Sequence, residues 1–506
     1  MADLEKKVSI TSEPASSSPQ GDSELAAQPS WLRQWSSKLL SYGVEVHGVT
    51  PVQPEQQTYT NFINLFFLWL GANGCIITFS SGTLGPLYFG LGLRDSALCI
   101  LFVNAFGALL PAYFSTFGPG TGMRQMIFAR YSFGYFGAAL ISAANIVTFM
   151  GFLILNGILG GQALASASSG NLSWDVGIVI IALISLFLVF CGYRVITTYE
   201  KFAWLPVFIV FIIATGVGGK HLSNPPPVAP ATAAQVFDFM GALFGFVVSW
   251  ATLAADYTIY MPASAPKAKV FLYAYFGFLI PLVLLEILGA AFMNTAFVND
   301  AWMAGYEVNG VAGLLAAALE PAGRFGKFCM VVIAMSVPAA CAPTMYSFGI
   351  SFQCVAPIFA YVPRYVFAIC ATAVMIPVSI VGAHHFDEAL TNFLAVIGYY
   401  AASFSAVLLI EHKVYRSSDP YLYDRTAWNQ WRRLPLGWAA WLAFACSFAL
   451  IVPGMSEVWY TGPIAAKGTG DIGFELGFAT TVVLYTIFRA VDLRFVTKRL
   501  GGTLSD

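Results

Sequence analysis

The chain has 506 residues, 58% of them hydrophobic and 10% charged, with a mean hydropathy of +0.71 and a formal net charge of -1. Soluble domains average about 25% charged residues, so the composition excludes an ordinary soluble enzyme and predicts an all-α polytopic membrane protein. A near-neutral chain without a basic helix or arm offers nothing to nucleic acid, and no Walker loop, zinc-ligand run or nucleophile elbow gives catalysis or ATP-driven pumping a carrier, so no cofactor or metal is expected.

In chain order, residues 1 to 30 are rich in Ser, Pro, Gln and acidic residues, a composition that buries too little apolar surface to fold. They read as a disordered stretch within a cytoplasmic tail spanning 1–58. Its later part, with Trp31, Trp35 and the run GVEVHGVTPVQPEQQT, is expected along the inner membrane surface. Twelve apolar runs follow, at 61–89, 95–117, 134–166, 175–192, 202–219, 234–261, 270–297, 327–353, 364–382, 389–411, 436–453 and 473–489. Runs of about 17 to 30 residues can each cross roughly 30 Å of hydrocarbon as helix. A single transporter domain over 59–490 and a cytoplasmic C-terminal tail over 491–506 complete the division. No signal peptide is seen, so the first run serves as the insertion signal. Longer loops are expected only at 298–326, 412–435 and 454–472.

Of the 25 basic residues, all but Arg94, Lys220, Arg324, Lys327 and Lys467 fall on the cytoplasmic side when both termini are placed inside, the bias that sets orientation in membranes. The eight cysteines, among them Cys191, Cys370 and Cys446, lie in or beside apolar runs without CxxC spacing and read as small core residues. The sequon at Asn171 faces outside on a loop too short for a glycan.

Runs one and six are long and interrupted by small and polar residues, and runs three and eight carry polar residues at mid-depth. Each pair is five runs apart, the spacing of a five-plus-five inverted repeat whose broken helices frame a midplane substrate site, with two accessory helices added.

In run one, Thr78 and Ser80 sit among glycines that weaken the helix and expose backbone groups; a kinked helix with back-bonded serines fits the same residues. Phe152 and Asn156 in run three share a helical face, a ring beside an amide that suits a planar heterocycle, although the spacing alone favours an interhelical contact. Trp250 in run six supplies a second flat surface or core packing. Asp256, six residues on, is a proton-coupling candidate or a structural acid that pairs with a loop cation. Glu286 in run seven is the acid placed deepest in the bilayer and the second coupling candidate, while Asp238, Glu200, Asp387 and Glu388 are placed near run ends. In run eight, Pro338 and Pro343 flank Ala340 and Cys341, and each proline frees a carbonyl one turn earlier. With Thr344 beside them, these residues favour a ligand over close helix packing.

Four stretches in order, GVTPVQPEQQT, FGPGTGMRQMIFARYSFGY, CGYRVITTYEKFAWLP and SWATLAADYTIYMP, resemble the fungal purine-cytosine permease branch of the nucleobase-cation-symport family 1, from about residue 43 to 500. The resemblance implies a LeuT-type fold and secondary active import of nucleobases, protons being the driving ion in fungal members. It also implies a ring stacked between aromatics of runs three and six and read by polar groups of runs one, three and eight. By position, Trp250 matches the run-six aromatic, Asn156 the run-three amide, and Thr78 or Ser80 the run-one hydroxyl. Phe152 stands where cytosine and adenine permeases usually carry Trp, and Thr344 where they carry Asn. Pro338 and Ala339 occupy the place of hydroxyl ligands in sodium-coupled relatives, which favours a proton. The expectation is a proton-coupled symporter importing purines, cytosine or both at the plasma membrane. A carrier of another small heterocycle such as a pyridoxine-like vitamin, or a transport-inactive nutrient sensor, is the alternative. A channel lacks the continuous polar face it requires.

Overall fold

The computed structural model describes residues 48–190, 193–223 and 225–499. The tail stretch with Trp31 and Trp35, Cys191, and the end of the C-terminal tail lie outside the described residues.

Two breaks organise the bundle. Run one forms α1 (Ile63–Asn73) and α2 (Ile76–Leu87), bent by 54° at Gly74, where Cys75 is extended at φ -143°, ψ 170°. Run six begins as a helix but does not stay one. Helix α9 (Ala233–Ser249) starts at a capping box in which Gln235 N–H donates to Thr232 Oγ1 and Thr232 N–H to Gln235 Oε1. It ends at Ser249 and passes into two 3-10 turns, Trp250–Thr252 and Ala254–Tyr257. The cause is local. The hydroxyls of Ser249, Thr252 and Thr258 donate to the carbonyls of Phe246, Ser249 and Ala255, competing with the helical ladder as short polar side chains do. Run six, expected over 234–261 as an interrupted span, is helix followed by buried, irregular backbone.

Between the breaks lie α3 (Leu93–Gly107), α4 (Leu109–Phe114), α5 (Phe117–Thr121), α6 (Gln125–Ala167), α7 (Trp174–Phe190) and α8 (Tyr193–Leu222). Helix α6 begins nine residues before the expected start of run three and kinks at Gly134, whose φ of 74° suits only glycine at low cost. Beyond α9 come α10 (Lys267–Ala296), α11 (Asp300–Leu319), α12 (Arg324–Ala334), α13 (Ser336–Val355), α14 (Arg364–Gly382), α15 (Phe386–Ile410), α16 (Trp438–Gly454) and α17 (Gly473–Arg499). The expected loop 298–326 is largely α11. The Asn299 side chain caps it through Trp302 N–H at 3.2 Å, and the Trp302 ring stacks on Phe292 at 5.1 Å. A two-stranded hairpin, β1 (Ser456–Glu457) with β2 (Tyr460–Thr461), lies in the 454–472 connection.

Among the described residues, eight helical stretches are long and apolar enough to cross a bilayer, nine with the bent α1–α2 pair, and α7 and α16 are shorter apolar helices. One stretch, Arg364–Tyr415, takes in runs nine and ten through a turn at Ala383–His385. Phe136, Val147, Phe187, Ile212 and Val381 are largely exposed, an apolar surface suited to lipid. The chain is a multi-pass helical membrane protein. Of its cysteines, Cys75, Cys99, Cys329, Cys341 and Cys354 are buried, whereas Cys370 is exposed and Cys446 intermediate.

The seam between α2 and α10 is very tight. A Cβ on Gly82 would lie 1.9 Å from the Glu286 carbonyl oxygen, and one on Gly289 would lie 1.9 Å from that of Phe79. Small residues allow such backbone approach in membrane bundles.

Candidate substrate site

Trp250 is the first residue beyond the end of α9, so its position is set by the break itself. Its ring meets Trp69 of α1 edge-on at 5.5 Å and lies 6.2 Å from Phe278 of α10. Trp69 in turn stacks on Phe278 at 4.4 Å and touches Tyr257 at 5.4 Å. Trp250 Nε1 is buried without a hydrogen-bond partner.

Phe152 reaches the same helix one turn earlier, T-shaped against Phe246 at 5.9 Å and against Phe393 of α15 at 5.2 Å. The two expected stacking rings therefore belong to adjoining aromatic clusters on α9, linked through the Phe246 to Trp250 turn, and do not touch each other. Asn156 spends its amide N–H on the Phe152 carbonyl at 2.9 Å, leaving Oδ1 buried and unpartnered. Ser80 Oγ is likewise buried without a partner. Thr78 Oγ1 lies 3.8 Å from the Cys75 thiol.

On α13, Ala340 and Cys341 are buried. Thr344 Oγ1 donates to the Ala340 carbonyl at 2.9 Å, so its one hydrogen is used within the helix. Pro343 offers its carbonyl to the Tyr257 hydroxyl at 2.7 Å. Pro338 cannot donate to Ala334, and a one-residue turn at Met335 separates α12 from α13 within one continuous span. Three of the four site elements thus carry a buried polar atom without a partner among the described residues, Ser80 Oγ, Asn156 Oδ1 and Trp250 Nε1–H. Buried polar atoms are rarely left so.

The coupling candidates are both hydrogen-bonded. Asp256 Oδ1 accepts from Gln125 N–H at 2.8 Å and Oδ2 from Ser347 Oγ at 2.8 Å, while Gln125 Oε1 accepts from Ala255 N–H at 3.1 Å. Asp256 thereby ties the unwound backbone to the start of α6 and to α13. Glu286 accepts from Ser81 Oγ at 3.1 Å and from Asn104 Nδ2 at 2.5 Å. Sequence reading passed over Asn104, although an amide inside the apolar run LCILFVNAFGALL was a visible signal. It also passed over Trp69, which no polar neighbour marks, and over Glu200. Placed near a run end, Glu200 is in fact fully buried.

Residues 51–477 match the family model described as permease for cytosine/purines, uracil, thiamine, allantoin. The chain belongs to this permease family. Among relatives, the purine-cytosine permease fcyB of Emericella nidulans is 36% identical over 89% of this chain and 89% of its own length. The purine-cytosine permease FCY2 of Saccharomyces cerevisiae is 35% identical over 94% and 90%. The vitamin B6 transporter TPN1 of the same yeast is 29% identical over 96% and 93%. The fold is shared with Mhp1, a nucleobase-cation-symport-1 family transporter solved in a closed conformation with bromovinylhydantoin bound. The TM-score is 0.66 at 14% identity, over 89% of this chain and 96% of that one.

Proposed function

We propose that the protein is a secondary active importer of nucleobases, purines and/or cytosine, driven by protons across the plasma membrane by alternating access. The observation that carries the substrate class is the pairing of free edge groups with flat rings: the Trp250 indole N–H and the Asn156 carbonyl stand beside the aromatic clusters of α1, α6 and α9. A planar heterocycle with both a donor and an acceptor on its edge complements them. In this reading Thr78, Ser80, Phe152, Asn156, Trp250, Ala340, Cys341, Pro343 and Thr344 surround the ligand. The runs make twelve crossings, in a five-plus-five repeat with two accessory helices and both termini cytoplasmic. The breaks at Gly74 and Trp250 are the points where the two repeats can flex against each other.

Uptake of labelled cytosine, adenine, guanine and hypoxanthine by a transport-deficient yeast, with and without an uncoupler, tests the proposal. Uncoupler-sensitive accumulation of at least one base is expected, and accumulation of none overturns it. In the same assay Trp250→Ala is expected to abolish uptake with the protein still at the surface; unchanged uptake would reduce Trp250 to packing.

A second reading, a pyridoxine-like vitamin as cargo, is favoured by Thr344, whose hydrogen is already committed to Ala340. Span eight then lacks the amide that a base edge would need for strong discrimination. Competition of uptake by pyridoxine and not by bases selects it, and binding without accumulation selects a sensor.

A further inference from the structure

Glu200 lies on α8 at 0% exposure, and neither carboxylate oxygen has a hydrogen-bond partner among the described residues. It stands directly on the last turn of α1 before the break. A Cβ at Gly71 would lie 2.2 Å from Glu200 Oε2 and 2.8 Å from the Glu200 carbonyl oxygen, so backbone meets backbone here. The next residue back, Tyr199, donates its hydroxyl to the Met335 carbonyl at 2.9 Å, at the α12–α13 junction. Across the same seam Ile76 N–H donates to Ser336 Oγ at 3.3 Å. The carboxyl therefore sits where the break in span one, the one-residue turn at Met335 and α8 come together.

The titratable groups whose fields reach it are the Cys75 thiol at the α1–α2 break and the Tyr199 phenol on its own helix, both neutral at physiological pH. Among the described residues of α1, α7, α10, α11, α12 and α13, no cation faces it. The neighbouring Lys201 sets its ammonium over the Phe202 ring, 5.6 Å from the centroid. A bare carboxylate enclosed in a membrane protein costs several kcal/mol unless something neutralises it. The nearby Ser336 Oγ donates to Ile333 O at 2.6 Å and accepts from Ile76 N–H at 3.3 Å. A proton needs only the carboxylate itself.

We propose that Glu200 is the proton-carrying group of the transport cycle; the inference rests on the proton-coupled reading above and names its carrier. The carboxylate takes a proton to become the neutral acid, which lets α8 lie flush on α1 at Gly71. Release of that proton restores a charge that must reach water or a donor, and it can do so only by parting α1 from α8. Occupancy of the proton site and the position of the α1 break are thereby linked, as coupling between two sites demands.

The test uses the full chain in proteoliposomes with an imposed pH gradient, and reads both net accumulation and one-for-one exchange of the labelled base that the uptake panel identifies. For wild type, accumulation follows the proton gradient and collapses with an uncoupler. For Glu200→Gln, a permanently neutral carrier, accumulation is expected to fall by about tenfold or more while exchange persists. Gradient-driven accumulation by Glu200→Gln at the wild-type level overturns the inference, as does its loss in Glu286→Gln with Glu200→Gln unaffected. Should Glu200→Gln fail to fold, Glu200→Asp decides. Retracting the carboxyl from Gly71 is expected to displace the pH profile of uptake, and an unmoved profile overturns the inference. A wild-type protein indifferent to the proton gradient, or driven by sodium, fails the proton-coupled reading itself.

Discussion

Glu286 and Glu200 both have 0% exposure, and each faces a half of the same broken span, Glu286 across from α2 and Glu200 across from α1. Their surroundings differ in kind. Ser81 and Asn104 donate to Glu286, and the backbones around it are locked by Gly82 and Gly289. Nothing donates to Glu200 among the described residues. One seam gives its acid two side-chain donors across closely packed backbones. The other leaves its acid without a donor among the described residues, the state that the proposed proton carrier needs. A buried acid in a transporter is thus a poor guide to coupling by depth alone, since partnership separates a structural acid from one that must change its state.

The contrast breaks first at the glycines. Gly82→Ala sets a methyl group 1.9 Å from a backbone oxygen that cannot rotate away, so a loss above about 3 kcal/mol is expected. Its reading is absence of the protein from the cell surface, and normal surface density would show that the α2–α10 seam can open. Gly71→Ala is milder, because its closest neighbour at 2.2 Å is the movable end of Glu200, with the backbone oxygen next at 2.8 Å. A loss of about 1–3 kcal/mol, seen as a lowered thermal midpoint of the purified protein, is expected together with impaired accumulation.

Asn104→Ala probes the satisfied seam from its polar side. Removing one of the two donors to Glu286 leaves a buried acceptor short, for an expected loss of about 1–3 kcal/mol. Thermal unfolding in detergent checks this, and proton-driven accumulation per surface molecule is expected to survive. Loss of coupling instead would make Glu286 the mobile acid and erase the distinction between the two seams.

Much of this was legible in the residues, and for identifiable reasons. Apolar runs marked the helices because lipid leaves few alternatives to helix, and the threonines and serines near Trp250 marked the unwinding because their hydroxyls do compete for carbonyls. The motifs placed the chain in its family. What escaped depended on tertiary neighbours. Residues 300–319 were read as loop because Ala- and Gly-rich helix with few large apolar side chains resembles a connection in hydropathy alone. Glu200 was placed near a run end because its partners, Gly71 and the α12–α13 junction, are far away in sequence. The side-on contacts of Phe152 with Phe246 and Phe393 depend on residues distant in sequence and could not be read from it.

The β1–β2 hairpin offers a third arrangement, between the two seams. Asp471 accepts from the backbone N–H groups of Gly473 and Ser456 and from the Tyr399 hydroxyl, and its own N–H donates to Asp238. Glu457, on β1, keeps Oε1 without a partner. Burial, with the Asp471 charge adding to it, pushes the Glu457 carboxyl up to about 8 from 4.5, and burial pushes Asp471 up to about 6 from 3.8. Folding therefore favours the protonated acids. Their contribution to stability is complete in acid, and it is lost as pH rises first through about 6 and then through about 8. Stability is expected to fall by on the order of 1–3 kcal/mol between about pH 4 and about pH 8, read as a lowered thermal midpoint of the purified protein. Glu457→Gln, which stays neutral, is expected to remove the upper part of the fall and leave the lower part to Asp471. A fall unchanged in Glu457→Gln would mean that the hairpin acids reach water as the pH rises. The hairpin cluster would then resemble neither the donor-rich seam at Glu286 nor the donor-free one at Glu200.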